Sequence, residues 1–253
     1  EVRVLSNTEG AQAPAASADG QSVAFWAGGT IRRVPLGGGP VVDLVSSLAT
    51  PPRGLVWDAG GGVFFGGDDG RISHVAREGV PAAVTTVGSG ELSHVLPWPL
   101  PGGKTLLYTV RKRVWTWGDE EIVAQTLATG ERKVLLRDAA DARYVATGHL
   151  VFLRRGQLWA VPFDAERVEL RGTPVAVLDE VAQALTAGHS ADVTGAGQFA
   201  IAPTGTLAWV RGPVGRYRDK ALVTVDRRGH ISPLSALVRS YSTDLRVSPD
   251  GRH

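Results

Sequence analysis

The sequence predicts an all-β protein of the β-propeller class, and three observations carry the prediction. A phrase returns about every forty residues, clearest at Ala18-Asp19-Gly20 and Pro249-Asp250-Gly251. Short apolar runs alternate with turns rich in the 32 Gly and 15 Pro, which reads as strand rather than helix. Each repeat spells a small antiparallel sheet that cannot bury its own faces, so several must stack radially. Function is therefore expected in loops over a scaffold.

The elements follow in order, with strands a to d counted from the axis outward. The first unit runs from about Gln12 to Val45. It turns at Asp19-Gly20 and continues through strands at Ser22 to Trp26, Thr30 to Leu36 and Val41 to Val45. In the second, strand a spans Gly54 to Trp57, Gly60-Gly61-Gly62 turn the chain, and Val63-Phe64-Phe65 open strand b. The third places strand a at Leu96 to Leu100, its turn at Gly102-Gly103 and strand b at Thr105 to Val110. In the fourth, Tyr144-Val145 lead through Thr147-Gly148 to His149 to Leu153, with strand c at Gln157 to Phe163. The fifth has strand a at Gln198 to Ala202, a turn at Thr204-Gly205 and strand b at Thr206 to Val210.

Two fragments remain: Glu1 to Ser6 alternates like an outer strand, and Thr243 to Ser248 reads as an inner one. The expectation is a six-bladed-type propeller, one domain over residues 1–253, with five full four-stranded blades and an incomplete closing blade. That blade is built from an N-terminal outer and a C-terminal inner strand, and its unpaired edges favour a homodimer. A chain that opens on Glu1, holds no Met and stops inside a repeat is expected to be a piece of a longer one.

Composition removes several classes. A formal charge of +2, without a basic stripe, argues against a nucleic-acid partner. The absence of Cys excludes disulfides, zinc-thiolate centres and Cys nucleophiles within the chain. No apolar run approaches the roughly 20 residues that cross a bilayer, so no membrane insertion of this segment is expected.

The runs Gly148 to Ala182 (GHLVFLRRGQLWAVPFDAERVELRGTPVAVLDEVA), Gln21 to Pro40 (QSVAFWAGGTIRRVPLGGGP) and Gly205 to Gly212 (GTLAWVRG) resemble a known group. They are similar to the TolB-like propeller segments attached to bacterial membrane-bound serine/threonine kinases. The resemblance implies an extracytoplasmic sensor or protein-binding module and carries over no catalytic residue. The chain contains neither a kinase Gly-rich loop with its strand Lys nor an HRD-type loop. It departs from the pattern at the turns, where Ala59, Gly102, Ala146 and Thr204 stand in place of Asp.

In a propeller the loops preceding strand a and those joining b to c share one face, so polar residues at the inner-strand starts converge. Those residues are Gln12, Arg53, Glu91, Ser93, His94, Arg143, Tyr144, Gln198 and Asp244. The long connection Gln183 to Asp192 adds His189, Ser190 and Asp192. Of these, Gln12, Arg53, Arg143 and Tyr144 are read as ligand-binding. Imidazole and carboxylate around an axial pocket also make a divalent site for zinc, manganese or calcium, from His94, His189, Glu91, Asp192 and Asp244. Such a metal would activate water for hydrolysis of an activated ester, lactone or phosphate triester. His94, His189, Glu91, Asp192 and Asp244 would then share ligand and base roles, with Arg53 stabilising developing negative charge. That reading is analogy at the level of fold, and its alternative is a pair of loop histidines bonded to backbone. A Ser190-His189-Asp192 triad is set aside because adjacent side chains diverge and no Gly-x-Ser-x-Gly elbow presents the hydroxyl.

A second surface is the b–c loop Arg111 to Glu120, with Arg113, Trp115 and Trp117, and its counterpart Arg211 to Lys220, with Arg216. Trp and Arg are enriched at binding hot spots, so this rim suits an anionic small molecule or a peptide ligand. Solvated charges and Trp packed over neighbouring blades are the plainer explanation. Trp57, Trp159 and Trp209 are expected between blades, with Trp98, flanked by Pro97 and Pro99, a candidate channel lining.

Overall fold

The computed structural model describes residues 5–77, 79–113, 118–184, 194–202, 206–212, 220–225, 228 and 230–239. Every regular element among them is a strand. The first repeat folds as β1 (Gln12–Ala16), β2 (Ser22–Ala27), β3 (Thr30–Pro35) and β4 (Val42–Val45), in that order across one antiparallel sheet. Its first turn is held by local chemistry: Asp19 Oδ1 accepts from the Ser17 hydroxyl at 2.5 Å and the Gln21 N–H at 2.9 Å.

The second sheet is β5 (Leu55–Trp57), β6 (Val63–Gly66), β7 (Ile72–Val75) and β8 (Ala82–Ala83). Here the turn carboxylate is present after all, one residue before Ala59. Asp58 Oδ1 accepts from the N–H groups of Gly60 and Gly62 at 2.7 and 2.8 Å. The third sheet is β9 (Ser93–Pro99), β10 (Thr105–Arg111), β11 (Glu121–Thr126) and β12 (Arg132–Arg137).

The fourth contains β13 (Ala140–Val145), β14 (His149–Arg154) and β15 (Gln157–Asp164). Both β16 (Glu169–Leu170) and β17 (Val175–Leu178) pair with β15. In place of a full four-stranded fifth blade, the described residues form two separate two-stranded sheets, β18 (Phe199–Ile201) with β19 (Leu207–Trp209) and β20 (Lys220–Val225) with β21 (Ile231–Arg239). The chain divides into two compact units, Glu1–Val214 and Gly215–His253, and the two hairpins fall in different ones. Thr243 to Ser248, the turn at Thr204-Gly205 and residues 1–4 of the expected outer strand lie outside the described residues.

Within the first unit the core is a series of layers between successive sheets, and strand alternation deals residues to them. From β6, Val63 and Phe65 enter the layer shared with the first sheet, while Phe64 enters the layer shared with the third. From β14, Leu150 and Phe152 face the third sheet, and Val151 and Leu153 pack with Val181 and Phe199 on the other side. Both faces of these strands are buried, so they read as unbroken apolar runs rather than alternating ones.

Trp57 spans one such layer, its Nε1 donating to the Ala15 carbonyl at 2.8 Å. Trp98 packs into the layer between the third and fourth sheets rather than standing clear of it. Trp209, expected between blades, keeps 46% of its surface exposed among the described residues.

Candidate functional site

The inner strands of adjacent sheets pack together, β1 on β5, β5 on β9 and β9 on β13. At the end where these strands begin, a cavity of about 320 Å³ opens, lined by Arg53, Asp68, Asp69, Gly70, Ser93 and Arg111, with Leu92 at its side. The backbone beneath Arg53 is fixed by two missing side chains. A Cβ on Gly54 would meet Leu96 Cα at 2.7 Å, and one on Gly66 would meet the Arg53 carbonyl oxygen at 2.7 Å. Gly54 also holds φ at 101°, which disfavours any L side chain. Arg53 is therefore clamped: its N–H donates to the Gly66 carbonyl and its own carbonyl accepts from Leu96 N–H, at 3.0 and 2.8 Å.

The opposite wall comes from the third sheet, where Ser93 on β9 lies directly across from Arg111 on β10. Ser93 is 2% exposed and Arg111 4%. Ser93 Oγ and Arg53 Nε are buried without a hydrogen-bond partner. Buried polar atoms are almost always satisfied, so two such atoms on one cavity call for an explanation. Burial pulls the Arg111 guanidinium below its usual value, and the positive charge of Arg53 pushes it the same way. The two aspartates at the rim are already engaged. Asp68 accepts from the Thr50 hydroxyl, and Asp69 Oδ2 accepts from Arg71 Nε at 2.8 Å.

His94 and Glu91 do meet, but in a packed network. His94 is wholly buried against Tyr108, ring centroids 4.7 Å apart, so it is a strand residue of the core and not a loop histidine. Its Nε2–H donates to Glu91 Oε2 at 2.9 Å. Arg132 donates to both oxygens of Glu91, at 2.5 and 3.3 Å, and Gly88 N–H donates at 2.7 Å. Burial alone would raise Glu91, but these donors outweigh it and hold its carboxyl at about 2. Burial lowers His94, against the opposing pull of Glu91, and so favours the neutral imidazole. Tyr108 completes the cluster by donating to Gln125 Oε1 at 3.0 Å, while Gln125 Nε2 donates to the Val84 carbonyl at 2.7 Å.

This pair does not fit a divalent cation, because the guanidinium of Arg132 occupies the face of the carboxylate where one would sit. Among the described residues no group of three or more His, Cys, Asp or Glu converges. The other expected ligands, His189, Asp192 and Asp244, lie outside the described residues, as do Ser190, Trp115, Trp117 and Arg216.

The remaining expected ligand-binding residues separate. Arg143 is spent on structure: it donates twice to Asp141, at 3.0 and 2.8 Å, and to the Phe199 carbonyl at 2.7 Å, and it stacks 4.0 Å over the Phe199 ring. Asp141 in turn accepts from Gly197 N–H at 2.8 Å, so the pair clamps the fourth sheet to the chain that follows. Tyr144 packs edge-on to Phe163 at 6.2 Å. Gln12 is exposed at the start of β1 and is not part of the cavity. On the b–c rim, Arg113 pairs with Asp119 at 3.0 Å and Lys112 with Glu121 at 2.9 Å, so these two cations are neutralised locally. Of the polar residues expected to converge at the inner-strand starts, Arg53 and Ser93 line the cavity. Arg111, expected on the b–c rim, stands instead at the end of β10. The alternation Leu107-Thr109-Arg111 was the signal that Arg111 still belongs to the strand.

No family model matches the chain, and no curated protein matches it in sequence. Solved structures do. A TolB protein from Agrobacterium tumefaciens superposes with a TM-score of 0.60 at 18% identity, over 95% of this chain and 87% of that one. TolB from Acinetobacter baumannii gives 0.52 at 20% identity, over 88% of this chain and 52% of that one. The fold is a TolB-like β-propeller. A third similar propeller, the calcium-binding protein regucalcin from Agrobacterium tumefaciens, superposes at 0.54 and 15% identity, over 88% of this chain and 73% of that one. These identities establish the fold of the propeller and nothing of its chemistry.

Proposed function

We propose that this propeller is a non-catalytic binding module that holds a small polar ligand in the cavity between Arg53, Ser93 and Arg111. One observation carries the reading: Arg53 Nε and Ser93 Oγ, from different sheets, are buried on the same cavity without a protein partner. A concave site with few converging polar groups is the usual form of a ligand pocket. On the resemblance of residues 148–182, the module is assigned to the extracytoplasmic side of a bacterial membrane as the sensing part of a kinase-linked chain.

The rival reading is a metal-assisted hydrolase, supported by the calcium-binding description of one similar structure. The two separate in one set of measurements. Thermal shift against a panel of polar metabolites should reveal ligands that raise the melting temperature, and Ser93→Leu, which fills the cavity, should abolish the response. Turnover of activated esters, lactones and phosphate triesters should stay at background with or without chelator. Chelator-sensitive turnover would establish the hydrolase instead. Shifts that survive Ser93→Leu would remove the ligand from this cavity.

A further inference from the structure

We infer that the ligand of this cavity is a small hydroxy-carboxylate, its carboxylate held between the Arg53 and Arg111 guanidiniums with the Ser93 hydroxyl as a third donor. The inference rests on the binding reading above and names the chemistry of that site. Its first support is the donor set. Arg53 Nε and Ser93 Oγ are buried on the cavity without a partner, and a guanidinium N–H can be satisfied only by an acceptor. Its second support is charge. The positive charge of Arg53 disfavours that of Arg111, the carboxylate of Glu120 offsets part of this repulsion, and an anion between the two guanidiniums converts the rest into attraction.

The carboxylates of the same lining narrow the anion. Asp68 and Asp69 line the same cavity and would repel the far side of a compact, multiply charged group such as phosphate. A planar monoanion matches the edge of a guanidinium, Nε with one Nη, and keeps its charge at one end. The cavity, about 320 Å³, is much larger than a carboxylate needs, when one water in the liquid takes about 30 Å³. The rest of the ligand therefore lies towards the two aspartates. Their carboxylate oxygens accept hydrogen bonds, which hydroxyl groups supply without adding charge.

The test is calorimetric titration of the whole chain at low salt with glycerate and quinate, beside inositol as a neutral polyol and inorganic phosphate. The hydroxy acids should bind, inositol and phosphate should not, and affinity should fall as salt is raised. Arg53→Met should weaken binding about tenfold or more, and Ser93→Ala about threefold. Arg53→Met carries the discriminating readout, because a structural arginine would lower the melting temperature when removed. Here the ligand-free variant should melt at or above the wild-type temperature, since a neighbouring like charge is gone.

Tighter binding of phosphate than of either acid, or acid binding untouched by Arg53→Met, would overturn the inference. Inositol binding without acid binding would also end it, yet leave the binding reading standing if Ser93→Leu abolishes it. Silence from all four probes and from the metabolite panel would bring down both.

Discussion

Ser93 and His94 are consecutive residues on one strand, and they turn to opposite sides of it into two different kinds of polar environment. On the His94 side, Glu91, Arg132, Tyr108 and Gln125 form a network in which the carboxylate takes four donors. On the Ser93 side, two arginines and a hydroxyl surround open space, and two of their buried atoms have no partner. Both sides carry titratable groups in unusual surroundings. The His94 side keeps one unpaired atom of its own, the buried Nδ1 of His94, so the difference lies in the charged groups: on that side they pair with one another, and on the Ser93 side they border open space. A network whose strongest demands are met inside the protein adds to its stability, whereas an incomplete one costs stability until something else completes it.

That contrast can be broken most forcefully at His94. His94→Ala opens a cavity in the core and should cost about 2–5 kcal/mol in a denaturant titration. Hydroxy-acid binding on the other face should stay within about twofold; a larger loss would mean that the two sides are one site. Arg132→Met should come next, at about 1–3 kcal/mol, because it leaves the Glu91 carboxylate short of its charged donor. A wild-type melting temperature in that variant would show the network to be inessential.

The sharpest break is the acid limb. The folded Glu91 titrates near 2 instead of its usual 4.5, so its contribution is complete above about 4.5 and is lost as pH falls towards 2. His94, lowered by burial, adds a loss of the same sign that begins as pH falls through about 6.5. Stability measured against pH in Glu91→Gln should lack the lower part of this slope. An unchanged slope would assign acid sensitivity elsewhere.

Much of the fold was legible because its turns are written locally. Asp19-Gly20, Gly102-Gly103 and Thr147-Gly148 mark hairpins whose flanking strands fall within a few residues of the expected ones. Two inner strands start earlier than expected, β13 at Ala140 and not Tyr144, and β9 at Ser93 and not Leu96. Strand β9 runs through Pro97 and Pro99, as expected, because an inner strand pairs on one side only and an edge tolerates proline. That shift of three residues moved Ser93 and His94 from a loop into the sheet and altered the reading of both. Arg53 was found because its place at an inner-strand start is a matter of repeat position. Arg111 was missed because the cations that follow it in sequence hid the end of β10. Arg143 was overvalued because nothing in sequence shows that Asp141 and the Phe199 carbonyl, 56 residues away, use up its donors.

The alternation along β14 has a consequence for how the chain reaches this state. In most half-buried strands, slipping by one residue exposes the apolar set to water, and solvation itself rejects the error. A strand that sends Leu150 and Phe152 to one neighbour and Val151 and Leu153 to the other receives no such correction. A slip would only exchange a larger pair for a smaller one. Proofreading of the register then falls to shape and to the hairpin that opens the strand, where Gly148 holds a φ of 79° and its N–H reaches back to the Val145 carbonyl. A chain of this kind is most vulnerable to misfolding at its turns, however apolar its strands.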